Sequence, residues 1–437
     1  MSTAFVINGG KKLRGTIEAG AGKNAPVALL CASLLARGRV VFKDMSKVEE
    51  VERMMEILES IGVKFAWKNK QTLFVDSSSP LRIDRINKSA CDSTRSSLLL
   101  LGALAARAKN YKLYKAGGCK LGERTIRPHL YALEKFGVTV TSRPGYYEVK
   151  NSPLKAREIV MFESGDTATE NAIMAAALAP GVSTIRFASA NYMVQDLCYF
   201  LRAAGAKIEG IGTTTLKITG VKKLRAVKSY YVVPDPVDAM AWISLGVTTK
   251  SPLTVKNCAY DFLALELAHL SVMGQKYQLL RKRQSKSGHF TLVDIKLTPS
   301  PLKALPDKLH GRPYPGLNID NVPLFAPILT QAKGETLIHD WVYENRAIYY
   351  LELKKLGADV LLLDPHRARI KGPTKLKGNE IDCPPAIRPG MALLIAMIAA
   401  RGRSVLRGVY PIERAYASLV GRLNKIGVDI KKVNLPC

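Results

Sequence analysis

One phrase recurs six times along this chain of 437 residues: an amphipathic helix ends in glycine, and a β-rich segment begins. The copies are ESIGVKF at Gly62, EKFGVTV at Gly137, RAAGAKI at Gly205, SVMGQKY at Gly274, KKLGADV at Gly357 and NKIGVDI at Gly427. Successive glycines lie 75, 68, 69, 83 and 70 residues apart. A glycine just past a helix, followed by alternating β-branched residues, stops the helix and starts a strand. Six such matches at near-constant spacing define a repeated unit of about seventy residues.

Each copy also carries a second helix that is apolar nearly all round. These are APVALLCASLLARG from Ala25, SSLLLLGALAARA from Ser96, NAIMAAALAPG from Asn171, AMAWISLGV from Ala239, NVPLFAPILTQAKG from Asn321 and PGMALLIAMIAARG from Pro389. A helix without a polar face must be buried. The other helix of each unit, such as Val48–Ser60 or Arg414–Lys425, is amphipathic. The unit therefore reads strand, buried helix, strand, amphipathic helix, strand. Six units can group as three plus three, with the buried helices inside and the sheets outside.

The opening MSTAFVINGG has no charged segment followed by an apolar run, so no signal peptide is expected. Apolar runs such as Leu98–Ala106 and Met391–Ala400 are too short to span a bilayer. Seven scattered cysteines, with no CxxC or Cys/His cluster, argue against a disulfide framework or a zinc site and suggest a reducing cytoplasm. The six histidines show no metal spacing, and no cofactor is expected. No P-loop, GxGxxG or GxSxG motif occurs. The formal charge of +29 implies a field that attracts anions. Nucleic acid and phosphorylated metabolites are both candidates, but aromatics make up only 7% and no basic–aromatic binding module is present. The run Arg281, Lys282, Arg283 and Lys286, beside Ser285, Ser287 and Gly288, reads as an exposed hairpin loop.

The residues just before the buried helices are polar: Lys23 and Asn24, Arg95, Asp166 to Glu170, Asp235 and Asp238, Asp320, and Arg388. Asn24, Asp238 and Asp320 also suit plain helix capping. Lys23, Arg95 and Arg388 do not, because a cation at a helix N-terminus opposes the dipole. Three such cations suggest a site whose missing partner is an anion. A second cluster is KAGGCKLGERTIRPH, Lys115 to His129. Gly117, Gly118 and Gly122 suit a lid-like loop. Cys119 lies there among Lys115, Lys120, Arg124 and Arg127, a setting that favours exposure and reactivity. Cys31 and Cys198 fit the core.

These motifs resemble the UDP-N-acetylglucosamine enolpyruvyl transferases, end to end. The most specific segments are GKNA at Gly22–Ala25, GGCKLGER at Gly117–Arg124, DTATEN at Asp166–Asn171, NID at Asn318–Asp320, YENRA at Tyr343–Ala347 and IERAY at Ile412–Tyr416. The resemblance implies an α/β fold, an inside-out α/β barrel of two domains with three repeated units each. One domain would cover residues 22–232 and carry the Cys119 loop. The other would join 1–21 to 233–437, with the active site in the cleft between them.

It also implies an activity, the transfer of the enolpyruvyl group of phosphoenolpyruvate to the 3′-hydroxyl of UDP-N-acetylglucosamine. Phosphate is released, and the product starts peptidoglycan precursor synthesis in the cytoplasm. In that scheme Cys119 is the general acid and can form a covalent adduct, while Asp320 is the base or proton acceptor. Lys23, Arg124 and Arg414 clamp phosphate and carboxylate, Lys23 and Arg414 counting among the catalytic groups. Asn24, Arg346 and Arg388 join the phosphoenolpyruvate site. Asn24, Arg95, Arg124, Thr125, Ile126, Arg127, Pro128, Asp320 and Val342 contact the sugar nucleotide. Fosfomycin is expected to alkylate Cys119. No membrane or nucleic-acid partner is implied. A compact polyanion needs several convergent cations, which agrees with the residue-level reading. Cations also lower a thiol's pKa, yet an acid must hold its proton, and bound phosphoenolpyruvate would offset them.

The chain departs from the family pattern in four places. Arg127 stands where an Asp is usual, Gly165–Thr167 replaces a Ser-Val-Gly stretch, Ala386 replaces a carboxylate, and Asn191–Met193 replaces an acidic pair. The phosphoenolpyruvate half is thus matched better than the nucleotide half. That pattern leaves open a paralogue acting on another nucleotide in specialised metabolism. GKNA and GGC argue against 5-enolpyruvylshikimate-3-phosphate synthase, which expects a GSKS-type opening and no cysteine acid.

Overall fold

The computed structural model describes residues 2–117 and 125–435, which form a mixed α/β fold. They divide into two compact units, one of residues 21–117 and 125–233, the other of residues 2–20 and 234–435. Among the described residues there are six small sheets, three in each unit.

In the 21–233 unit, one sheet runs in the order Tyr230–Tyr231, Arg39–Lys43, Thr72–Asp76, Lys64–Asn69. A second places Tyr146–Asn151 between Asn110–Tyr114 and Val138–Arg143. The third runs Lys207–Glu209, Thr215–Gly220, Gly181–Arg186, Glu158–Val160. Register pairs buried residues across the strands: Val40 with Val75, Val140 with Val149, and Ile185 with Leu216. Each sheet therefore has one covered face. The helix Asn24–Ala36 is buried from Ala25 to Ala36 and packs with Leu100–Ala103 and Asp166–Ala176. The amphipathic helix Glu49–Ser60 turns Val51, Met54, Met55, Ile57 and Leu58 inward and holds Arg53 between Glu49 and Glu56 on its other side.

The apolar helix expected from Ser96 is broken into a 3₁₀ turn, Arg95–Leu99, and a short helix, Leu100–Ala103. The cause is Asn171. Its Oδ1 accepts the Gly102 N–H at 2.7 Å and its Nδ2 donates to the Leu98 carbonyl at 3.0 Å. Those two groups would otherwise bond to each other, so a side chain has entered the helical ladder. A Cβ on Gly102 would lie 2.5 Å from the Asn171 carbonyl oxygen, which only glycine avoids.

In the other unit, Ser2–Gly9 lies between Gly402–Arg407 and Asp429–Leu435, with Glu380–Asp382 at the far edge. A second sheet runs Lys276–Gln284, Thr291–Thr298, Leu253–Ala259, Gly15–Glu18. The third runs Leu309–His310, Gly334–His339, Arg367–Gly372, Asp359–Asp364. Three apolar helices, Pro236–Thr248, Val322–Leu329 and Ile387–Ala399, pack on one another. The Ser244 hydroxyl, buried among them, donates to the Leu324 carbonyl at 2.6 Å.

Two readings are corrected in this unit. Arg281, Lys282 and Arg283 belong to the strand Lys276–Gln284, and the turn covers 285–290, closed by Ser285 N–H to the Phe290 carbonyl. The helix expected over Arg414–Lys425 exists only as Leu419–Lys425, after a short helix Tyr410–Glu413. Ser418, at φ 49°, breaks it and leaves Tyr416 turned inward. The six repeat glycines, Gly62, Gly137, Gly205, Gly274, Gly357 and Gly427, all lie at φ between 87° and 104°. Residues with a Cβ seldom adopt that conformation.

Candidate active site

In the 234–435 unit the site is built around Asp320. The Asn318 side chain accepts the Asp320 N–H at 2.9 Å, a local turn that Asn favours. The Asn321 N–H donates back to the Asn318 carbonyl at 2.9 Å. Pro323 then opens the helix Val322–Leu329. The buried carboxylate of Glu266 ties this loop down, accepting Asn321 Nδ2 at 2.7 Å and Asn318 N–H at 3.2 Å. Burial raises the Glu266 pKa, and the Asn321 hydrogen bond works against that rise.

Arg388 and Arg346, among the described residues, face the Asp320 carboxylate. Arg388 Nε lies 3.3 Å from Oδ2, and Arg346 Nη1 lies 3.9 Å from Oδ1. Arg388 is the second residue of Ile387–Ala399, where a cation opposes the dipole. The structure supplies a carboxylate against it, so part of the demand for an anion is met within the protein. Arg388 Nη1 also donates to the Tyr416 hydroxyl at 3.0 Å, and the guanidinium lies over the Tyr416 ring at 5.6 Å.

Arg346 is 1% exposed, as is Asp340. Nε and Nη2 of Arg346 donate to the two Asp340 oxygens at 2.7 and 2.5 Å. Nη2 also reaches the Ile319 carbonyl at 2.6 Å, and the guanidinium stacks on Tyr343 at 4.4 Å. Asn345, in the left-handed region at φ 58°, turns the chain so that Arg346 comes back to Asp340. Tyr350 follows four residues later, and its hydroxyl donates to Asp340 at 2.7 Å. Arg414 follows the helix Tyr410–Glu413 and is buried, while Val342 is half-buried beside the exposed Trp341. Asp238 is not a cap: it takes Trp242 Nε1 at 3.1 Å, the Gly20 N–H at 2.8 Å and the Arg422 guanidinium at 2.8 Å.

In the 21–233 unit, Lys23 immediately precedes the helix Asn24–Ala36. Asn24 Nδ2 donates to the Tyr192 hydroxyl at 3.4 Å. Arg95 Nη2 reaches the Thr125 carbonyl at 2.8 Å, and Thr125 Oγ1 accepts the Arg127 N–H at 3.1 Å. Arg95 is thus brought to the segment of Thr125, Ile126, Arg127 and Pro128, which opens the helix Arg127–Phe136. That helix is pinned by the buried His129, whose Nδ1 lies 2.9 Å from Asn171 Nδ2. Asp166 accepts Ser189 Oγ at 2.5 Å and Asn191 Nδ2 at 3.2 Å. Asp166 and Asn191, from two of the stretches singled out in the sequence, are therefore direct partners. Cys119 and Arg124 lie outside the described residues.

Sequence reasoning missed Asp340, Tyr350, Tyr416 and Glu266. Asp340 and Tyr350 flank the motif YENRA, Tyr416 closes IERAY, and the spacing of Arg346 to Tyr350 is the one signal that could have paired those two. Among the described residues, no group of three His, Cys, Asp or Glu side chains could hold a metal ion. None of the described helices is long and apolar enough to cross a membrane.

A carboxylate flanked by two buried guanidiniums, in a mixed α/β chain of six small sheets, suits an enzyme that moves a proton beside an anionic substrate. Comparison with known proteins narrows the class. Residues 7–423 match the family model for EPSP synthase (3-phosphoshikimate 1-carboxyvinyltransferase), and the chain belongs to that family. It is 33% identical over 435 residues to a UDP-N-acetylglucosamine 1-carboxyvinyltransferase of Bradyrhizobium diazoefficiens, covering 98% of each chain. It is 33% identical over 430 residues to the protein of the same name in Treponema denticola, again covering 98% of each. Among solved structures it is similar to the enolpyruvyl transferase NikO from Streptomyces tendae, with TM-score 0.87, 24% identity and 100% of both chains covered. An EPSP synthase from Acinetobacter baumannii follows at TM-score 0.77 and 17% identity, covering 99% of this chain and 100% of that one. At those identities the two structures speak to the fold alone.

Proposed function

We propose that this chain transfers the enolpyruvyl group of phosphoenolpyruvate to the 3′-hydroxyl of UDP-N-acetylglucosamine, releasing phosphate, as the first committed step of peptidoglycan precursor synthesis in the cytoplasm. The observation that carries this reading is the end-to-end likeness, at 31–33% identity, to proteins of that activity. The Asp320 cluster supports it, because the reaction needs a base to take the hydroxyl proton and a carboxylate can serve as one.

The chemistry is an addition followed by an elimination. An acid, which we assign to Cys119, protonates the methylene carbon of phosphoenolpyruvate. The sugar hydroxyl adds to the adjacent carbon and gives its proton to Asp320. Loss of a proton from the methyl group and departure of phosphate then restore the double bond. Lys23, Arg124 and Arg414 serve as the anion clamp, with Asn24, Arg346 and Arg388 beside it. Asn24, Arg95, Arg124, Thr125, Ile126, Arg127, Pro128, Asp320 and Val342 serve the sugar nucleotide. On this reading residues of both units act on one pair of substrates. The fold is then the inside-out α/β barrel of two three-unit domains, residues 22–232 and residues 1–21 with 233–437. Fosfomycin would alkylate Cys119.

The test is phosphate release from phosphoenolpyruvate, with and without UDP-N-acetylglucosamine. Release that depends on the sugar nucleotide is expected, and none at all would sink the reading. A second reading, a paralogue using another nucleotide, is favoured by the Asp166–Asn191 pair at positions of departure. Release with a different nucleotide only would select it.

A further inference from the structure

We infer that Asp340 is a positioning residue for Asp320 and acts through Arg346; this rests on the proton-accepting role of Asp320 proposed above. Asp340 stands just past the strand Gly334–His339, with its own N–H held by the His366 carbonyl at 2.7 Å. Its carboxylate accepts three hydrogen bonds, two from Arg346 and one from Tyr350. A bidentate pair of this kind fixes the plane of the guanidinium as well as its place. The same guanidinium reaches across to the Ile319 carbonyl, one residue before Asp320. Arg346 is therefore a strut between a rigid strand end and the loop that presents Asp320.

The charges point the same way. Arg346 carries one positive charge in a site that is 1% exposed, and Asp340 balances it there. Its Nη1 stays 3.9 Å from Asp320, a distance without a hydrogen bond. With Asp340 neutral, a buried cation would be left uncompensated, and Asp320 is the next carboxylate within reach. Arg346 would then turn onto Asp320 and occupy the oxygen that must take the proton. Asp340 keeps the two apart, so that Arg346, beside the anion clamp, also shapes the base.

The experiment measures kcat and KM for both substrates in the wild type, Asp340→Asn, Asp340→Glu and Tyr350→Phe. Thermal unfolding of each is followed in parallel. Asp340→Asn should lower kcat about 100-fold while KM for phosphoenolpyruvate stays within about threefold, since misplaced groups cost rate more than binding. Asp340→Glu should recover most of the loss, and Tyr350→Phe should cost about threefold in kcat. If Asp340→Asn does not fold, the paired variant Asp340→Leu/Arg346→Met removes both charges and decides the matter. It should fold, since no uncompensated charge remains, and its kcat should be low. Unchanged kcat in an Asp340 variant, or in Asp340→Asn a KM for phosphoenolpyruvate that rises in step with the loss, overturns this inference alone. A wild type with no turnover overturns the functional reading, and this inference falls with it.

Discussion

Arg388 and Asp320, 68 residues apart in the chain, meet with Nε 3.3 Å from Oδ2. Each answers a need of the other: the cation sits at a helix N-terminus that repels it, and the carboxylate offsets that cost. Asp320→Asn should lower the rate of phosphate release about 100-fold. It should also lower stability by about 1–2 kcal/mol, because Arg388 loses a charged partner in a 5% exposed position. Steady-state kinetics and a urea melt check both.

Tyr416 is another partner of Arg388. Burial pushes its hydroxyl up to about 12, with Arg388 pulling the other way, so the group stays neutral through the working pH range. Tyr416→Phe keeps the ring under the guanidinium and removes one acceptor at 3.0 Å. We expect kcat to fall less than tenfold and stability to fall by about 1 kcal/mol. A loss as large as that of Asp320→Asn would assign Tyr416 a chemical role.

Asn171 joins three segments, bonding Gly102, Leu98 and His129. Asn171→Leu strands a buried N–H and a buried carbonyl where the helix cannot close on itself. The expected loss is about 3–5 kcal/mol, readable as a lower midpoint in chemical unfolding. Because His129 anchors the helix that begins at Arg127, KM for the sugar nucleotide should rise as well.

Asp196 predicts a pH dependence of stability. Burial pushes its carboxyl up to about 7, against hydrogen bonds from the Tyr230 hydroxyl at 2.7 Å and the Val233 N–H at 3.2 Å. An unfolded aspartate titrates near ~4, so between the two values the folded state holds the extra proton. Stability is therefore greatest below pH ~4 on account of this group and falls as pH rises to about 7, by on the order of 4 kcal/mol in total. Asp196→Asn should flatten that slope. Comparing urea midpoints at pH 5 and pH 8 in both proteins tests it.

Cys119 offers a prediction about chemistry. In the proton-donating role proposed above it can be replaced by another acid, so Cys119→Asp should retain turnover and resist fosfomycin, having no thiol to alkylate. Complete loss of turnover would favour an obligatory covalent role.

The periodic features were the legible ones. Gly62 and its five counterparts marked helix ends because a backbone conformation demanded them, and the apolar helices announced their burial by lacking a polar face. Charge misplacement drew notice to Arg388, although its partner Asp320 could be found only in three dimensions. What escaped was decided by single long-range bonds. Nothing in SSLLLLGALAARA foretells that Asn171, from another unit of the repeat, will enter its ladder. Nor does a lone Asp340 in LIHDW show that it will be buried against Arg346, since the turn at Asn345 makes that contact.

The strand Ser2–Gly9 lies between two strands drawn from the other end of the chain. During synthesis it must wait for Gly402–Arg407 and Asp429–Leu435, whereas the 21–233 unit has all its described strands once Tyr231 has been made. Order of birth and order of folding are thus inverted for the first strand. Nascent chains of this protein should carry a finished 21–233 unit and an unpaired first strand through the later part of their time on the ribosome. A truncation that removes Asp429–Leu435 should leave that strand with an open edge, prone to pair with another chain.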